Sequence, residues 1–264
     1  MIKPKKSLGQ NFLIDNNIIN KIIKLSDICN NNIIEIGPGT GNLTKKIIDQ
    51  NPKSLVLIEK DKDLSEDLKK KLNNQKKIKI FNHDILKFEL ENKVKKDTII
   101  IGNLPYNISS QILAKLIKFN TWLPRYKKLI FMFQKEVADK ILANYNTSSF
   151  GRLAILTKAR LKIINHFNVS QNSFYPVPKV KSTVLVFEPI INKDFKVADI
   201  SNLEKISHIF FSKKRKMVNK AFKELFENFI DVAKEIDIDL SLRPNQLSEK
   251  EYYKITQHYE KINF

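Results

Sequence analysis

The chain has 264 residues, 42% of them hydrophobic, which suits one large domain or a main domain with a smaller appendage and argues against disorder. A single cysteine, Cys29, excludes a disulfide framework or a Cys-based metal centre and points to a reducing compartment. The net charge of +19 points to a polyanionic partner, although a chain rich in Lys, Ile and Asn, as an AT-rich genome produces, reaches such a charge without one.

Strand and helix alternate along the chain. Residues 32–36 form a short apolar strand that ends in a glycine-rich turn, and 42–49 a helix. Residues 54–58 are a continuous apolar strand of the kind buried in parallel sheets, followed by a helix over 64–72. Further strands are predicted at 78–81, 98–101, 129–133, 163–169 and 183–187, with helices at 108–119 and 135–142. In the first of these helices Ile108, Ile112, Leu116 and Phe119 share one face. After Pro189 no strand pattern recurs, and 199–264 reads as helical with breaks near Asp237 and at Arg243-Pro244. The expected fold is a doubly wound α/β sheet over residues 1–190 with a small all-helical domain over 191–264. In such sheets ligands lie beyond the carboxyl ends of the strands.

Two constellations occupy those ends. The first is Glu35-Ile36-Gly37-Pro38-Gly39-Thr40-Gly41, between a strand and a helix, where Gly37 and Gly39 let backbone approach a ligand closely. A dinucleotide fingerprint needs its third glycine at position 42, which is Asn, and no Gly-Lys-Ser/Thr phosphate loop follows. The spacing fits a nucleoside cofactor without a pyrophosphate. Glu59 ends the next strand and can accept from both ribose hydroxyls, while Asp84 ends the third and can accept from an adenine amino group. Together they make an adenosine site.

The second constellation is Gly102-Asn103-Leu104-Pro105-Tyr106-Asn107. The exocyclic amine of adenine is a poor nucleophile because its lone pair is delocalised into the ring. The Asn103 side-chain oxygen and a backbone carbonyl of Leu104 or Pro105 can each accept from that amine and localise the lone pair toward a methyl donor. Proline fixes the loop, and Tyr106 can stack on the base. No strong general base is needed, so positioning and electrostatics carry the catalysis. Phe174, on the stiff segment Ser173-Phe174-Tyr175-Pro176-Val177-Pro178-Lys179, is a candidate second face for the base.

These residues resemble the KsgA family of ribosomal RNA adenine dimethyltransferases over nearly the whole chain. The matching segments are Lys5-Lys6-Ser7-Leu8-Gly9-Gln10-Asn11-Phe12-Leu13, residues 35–41, Glu59 with Asp61, Asp84, residues 103–109, Gln134-Lys135-Glu136-Val137, residues 174–182 and residues 211–219. The resemblance implies a class I methyltransferase (Rossmann-like) fold with S-adenosylmethionine as cofactor. It implies transfer of two methyl groups to each of two adjacent adenosines near the 3′ end of 16S rRNA, in the small subunit or an assembly intermediate of it. It also implies that Asn11 and Leu13 touch the cofactor, with Gly37 against its methionine part, Glu59 on its ribose, Asp84 on its adenine and Asn103 between cofactor and target. From spacing alone, residues 9–11 are only a polar turn.

Large-subunit resistance methylases, DNA adenine methylation and a non-catalytic assembly factor on the same fold remain rivals. The segment 174–182 and the Arg243-Pro244 region favour the small-subunit enzyme. The four histidines (His83, His166, His208, His258) lack ligand spacing, so no metal is expected. No apolar run approaches the roughly 18 residues of a membrane span, and no secretory h-region is seen, so a cytoplasmic protein is expected, with the oligomeric state open and a monomer as the default. Basic clusters at 3–6, 127–128, 179–181 and 213–216 are candidate RNA contacts, whereas 69–71 and 76–77 read as a solvated face.

Overall fold

The central strands of the sheet are apolar on both faces, because helices cover both. In β2 (Asn32–Ile36) four of five residues are buried, and in β5 (Thr98–Asn103) the first five are. The computed structural model describes residues 4, 5, 8–73 and 75–263. Around β2 and β5 lie β3 (Ser54–Glu59), β4 (Ile78–Asn82), β6 (Tyr126–Gln134), β7 (Leu161–Val169) and β9 (Ser182–Pro189). Among the described residues these form a seven-stranded sheet in the order β4-β3-β2-β5-β6-β9-β7. The first five strands of that order run parallel, and β9 is antiparallel to β6.

The helices between these strands include α2 (Asn42–Asp49), α3 (Lys62–Lys71), α4 (Ser109–Ile117) and α5 (Lys135–Leu142). Each buries a short apolar stripe, such as Leu43 and Ile47 in α2 and Ile112, Leu113 and Leu116 in α4. One core cluster joins Ile33, Leu57, Ile101, Ile130 and Val184 of the sheet to Ile19, Ile22 and Ile23 of α1 (Asn16–Ile23). The sequence pattern misses α1, whose Asn and Ile residues are indifferent helix formers. Its start is set by Asp15, whose carboxylate accepts from the Asn17 and Ile18 amides. A two-stranded ribbon, β1 (Phe12–Leu13) against β8 (Phe174–Tyr175), is also missed, because two residues carry no periodicity.

The order of strands reverses between β3-β2 and β5-β6, so β2 and β5 lie side by side at the switch point. Their approach is close. A Cβ on Gly102 would lie 2.8 Å from the Ile36 carbonyl oxygen and 2.7 Å from the Leu104 side chain, so only glycine fits. The glycine loop after β2 is thereby set against the Asn103 loop after β5.

The chain divides into two units. The first runs through Ala138 and resumes over Lys162–Pro189; the second comprises Asp139–Leu161 and everything from Ile190 onward. The expected division after residue 190 falls at the last of these crossings. The segment 139–161 differs from that expectation, since it lies with the helical unit. Its helix α6 (Arg152–Arg160) is buried nearly all round, at Ala154, Ile155, Leu156, Thr157, Ala159 and Arg160, and so shows no one-sided stripe in the sequence. The rest of that unit is α7 (Ile200–Ser212), α8 (Asn219–Leu225), α9 (Phe229–Glu235) and α10 (Glu249–Asn263). It packs around Phe210, whose ring lies 5.7 Å from Phe222 and 5.4 Å from Tyr252. The breaks expected near Asp237 and at Arg243-Pro244 separate α9 from α10, and the Pro244 carbonyl accepts from the Tyr252 hydroxyl at 2.8 Å. Among the described residues no helix is long and apolar enough to cross a membrane, and no group of three metal-ligating side chains occurs.

Candidate active site

A cavity opens at the switch point. Asn11, Leu13, Gly37, Gly39, Glu59, Asp84, Asn103, Leu104, Pro105 and Tyr106 all line it. These residues come from five separated segments of sequence, and the sheet brings them to one place.

Glu59 is the electrostatic centre of one half of the cavity. One carboxylate oxygen accepts from the Gly39 amide at 3.0 Å and the other from the Asp61 amide at 2.8 Å. The first bond requires the loop amide to turn inward, which Gly39 allows with φ of +57°. Two acceptor positions remain on the carboxylate. Burial raises the Glu59 pKa, against the backbone amides of Asp61, Gly39 and Lys60, which lower it. Asp84 pairs with Lys60 at 2.9 Å and accepts from the Leu86 amide at 3.0 Å. The Lys60 ammonium, foremost, holds the Asp84 carboxyl below its usual range. Glycines without side chains, a carboxylate with spare acceptors and apolar walls at Leu13 and Ile85 fit a nucleoside bearing two ribose hydroxyls.

Glu35 lies behind the glycine loop, 1% exposed, and accepts from the Thr44 hydroxyl at 2.7 Å. Burial pushes its pKa up to about 8, with Thr44 opposing and Glu59 adding to the shift. A carboxyl raised in the fold holds its proton there while the unfolded chain, near the ordinary 4.5, loses it. Stability is therefore expected to fall as pH rises from about 4.5 to about 8. Thermal melts of the wild type and Glu35→Gln across that range check this: the variant should show the flatter profile, and parallel profiles would refute the burial of an ionisable proton here.

The N-terminal segment is latched over this half. The Lys5 ammonium lies 2.7 Å from both Asp61 and Asp63, and Gln10 donates to Asp61 at 2.8 Å while accepting from the Lys5 amide at 2.7 Å. Burial would raise the Asp61 pKa, but Lys5 and Gln10 together hold it low. Gln10 is not legible as a site residue from spacing; only the second acid after Glu59 hints at a partner. Lys3, Lys6 and Ser7 lie outside the described residues.

The other half of the cavity is organised by Asn103. Its side-chain NH₂ donates to the Asn11 carbonyl at 2.9 Å. A carbonyl can only accept, so this bond fixes which arm of the carboxamide is nitrogen. The oxygen is left as an acceptor without a protein partner among the described residues. The Pro105 carbonyl accepts from the Ile108 amide at 3.1 Å, closing a turn, whereas the Leu104 carbonyl carries no such bond among the described residues. The Tyr106 hydroxyl lies 2.6 Å from Ser182 Oγ, which fixes the ring, and burial raises its pKa.

Phe174 is the exception among the expected residues. It is 1% exposed and packs in the core with Leu13, Ile19, Ile22 and Val184. Side chains alternate along a strand, so one of Phe174 and Tyr175 must face inward, and the wholly apolar ring does. In this arrangement it offers no face to a base. The pair Lys127-Lys128 is also taken up locally: Lys127 bonds Asn31 at 2.7 Å and Lys128 pairs with Glu188 at 3.4 Å, at the end of β6 away from the cavity. Lys213 to Lys216 are exposed, with Lys213 paired to Glu224 and Lys214 donating to the Ser148 carbonyl at 2.7 Å.

The family model for "ribosomal RNA adenine dimethylase" matches residues 1–261. A ribosomal RNA small subunit methyltransferase A from Pelagibacter ubique is 46% identical, covering 99% of this chain and 98% of its own. A protein of the same name from Buchnera aphidicola is 40% identical over 96% of this chain and 95% of its own. Among solved structures, a dimethyladenosine transferase from Plasmodium falciparum superposes with a TM-score of 0.79 at 27% identity, covering 96% of this chain and 98% of that one. The 23S rRNA methyltransferase ErmE shares the fold, with a TM-score of 0.67 at 20% identity over 95% of this chain and all of its own.

Proposed function

The chain belongs to the ribosomal RNA adenine dimethylase family, and from that premise we propose that it methylates the exocyclic amines of two adjacent adenosines near the 3′ end of 16S rRNA. The observation that carries the chemistry is the Asn103 carboxamide, whose NH₂ is committed to Asn11 and whose oxygen is left to accept. S-adenosylmethionine, when bound, supplies an electrophilic methyl on a sulfonium. Everything else falls to the protein. Glu59 and Asp84 hold the ribose and adenine of the cofactor, and Gly37, Gly39, Asn11 and Leu13 close around it. The Asn103 oxygen and the Leu104 carbonyl accept from the target amine, which draws the nitrogen toward tetrahedral geometry. Pro105 is the weaker candidate for that backbone acceptor, because Ile108 already uses its oxygen. Tyr106 stacks on the target base. The alkylated nitrogen is acidic and loses its proton to water, so no general base is required.

Small-subunit specificity is supported by the relatives, several of which are named small subunit methyltransferases at 35–46% identity. The test is transfer of labelled methyl to small and large subunits that lack these modifications. Label confined to small-subunit RNA is expected; label on large-subunit RNA alone would move the chain to the other substrate. A cytoplasmic monomer is part of the same reading. RNA binding should weaken steeply with salt, because much of its affinity comes from released counterions. Filter binding unchanged between about 50 and 200 mM salt would refute an electrostatic interface.

A further inference from the structure

The stiff segment before β9 is pinned at both ends to residues that line the cavity. At its start Tyr175 pairs with Phe12 across the β1–β8 ribbon. At its end Ser182 Oγ bonds the Tyr106 hydroxyl at 2.6 Å. Between them the Pro178 carbonyl accepts from the Gln171 side chain at 3.1 Å, and the Lys181 carbonyl accepts from the Lys135 amide at 2.9 Å. Pro176 and Pro178 stiffen the backbone further. The segment is thus held fixed beside two residues that line the cavity, as a rim just outside it.

What the rim shows to solvent is unusual for a surface loop. The alternation that buries Phe174 turns Tyr175 outward, 55% exposed, with Val177 at 60% and Val180 at 43% beside it. Lys179 and Lys181 are exposed, and neither has an acidic partner among the described residues. An aromatic face flanked by apolar side chains and unpaired cations suits single-stranded nucleic acid: the ring takes a base of any identity and the ammonium groups take phosphates. A target adenosine that enters the cavity draws its neighbours across this rim.

We propose that Tyr175 stacks on a nucleobase adjacent to the target adenosine, with Lys179 and Lys181 on the adjoining phosphates of the RNA. This rests on the RNA-methylation reading above. The role expected of Phe174 thereby passes to its neighbour, and to a flanking base in place of the target itself.

The test is steady-state methyl transfer to unmethylated small subunits by the wild type, Tyr175→Ala, Tyr175→Phe and the double variant Lys179→Ala/Lys181→Ala. Tyr175→Ala should raise KM for the subunits about tenfold, with kcat and calorimetric cofactor affinity unchanged. Tyr175→Phe keeps the ring and should stay within about twofold of wild type. The double variant should flatten the dependence of log KM on log salt by about one to two. A wild-type KM in Tyr175→Ala overturns the proposal. So does a fall in kcat at unchanged KM, which would assign Tyr175 to the ribbon alone. A wild-type chain that transfers methyl to no RNA overturns the RNA reading and this proposal together, whereas normal wild-type transfer beside an unaltered Tyr175→Ala overturns this proposal alone.

Discussion

Asn103→Ala is expected to lower the single-turnover rate of methyl transfer by roughly 10²-fold or more, the loss seen when one preorganised polar contact is removed from a reacting centre. The substitution deletes the acceptor that localises the amine lone pair. It also releases the Asn11 carbonyl, which the Asn103 NH₂ holds at 2.9 Å. Asn103→Asp separates these effects. It keeps an acceptor toward the amine but sets a carboxylate oxygen against the Asn11 carbonyl, where two acceptors repel. Both variants should therefore be slow, and Asn103→Asp should also perturb cofactor affinity through the displaced N-terminal segment. Rapid-quench transfer to unmethylated subunits measures the rate, and calorimetry measures the affinity. Near-wild-type single-turnover rates in Asn103→Ala would end the lone-pair explanation.

Glu59→Ala should weaken S-adenosylmethionine binding by about 10²-fold, if two hydrogen bonds to a carboxylate, at about 1.5–3 kcal/mol each, are lost on the ribose. The loss is compounded because the Gly39 and Asp61 amides lose their acceptor as well. Glu59→Gln should not rescue it. Both carboxylate oxygens face backbone N–H groups, so the NH₂ of a glutamine would meet one of them donor to donor. Calorimetric titration distinguishes the outcomes: affinity within threefold of wild type in Glu59→Ala would remove the ribose role assigned to this residue.

The features legible in the sequence are those with a local signature. Parallel strands buried on both faces read as continuous apolar runs, and ligands gather at their carboxyl ends, so the sequence alone assigns Glu59, Asp84 and Asn103 to one edge of the sheet. Their convergence on a single cavity follows from the strand order, which puts β2 beside β5. What could not be read depends on contacts between distant residues. The bond from Asn103 to Asn11 spans 92 positions, and the one from Gln10 to Asp61 spans 51. Neither leaves a trace in periodicity or propensity. Phe174 shows the same limit from the other side. Its proline-flanked setting suggested an exposed platform, but the side a strand residue faces is decided by its partner strand, and opposite Leu13 that side is the core. The helix α6, buried nearly all round, has no amphipathic stripe to announce that it leaves the sheet unit.

The most direct test of the site's chemistry is nucleoside analysis of 16S rRNA from unmethylated small subunits after incubation with the chain and S-adenosylmethionine. The proposed function predicts N6,N6-dimethyladenosine at two adjacent positions near the 3′ end, and the arrangement around Asn103 predicts none with Asn103→Ala on the same timescale. Methyl groups on ribose, on a ring carbon or on another base would contradict it, because none of those acceptors needs the Asn103 oxygen and the Leu104 carbonyl where they stand.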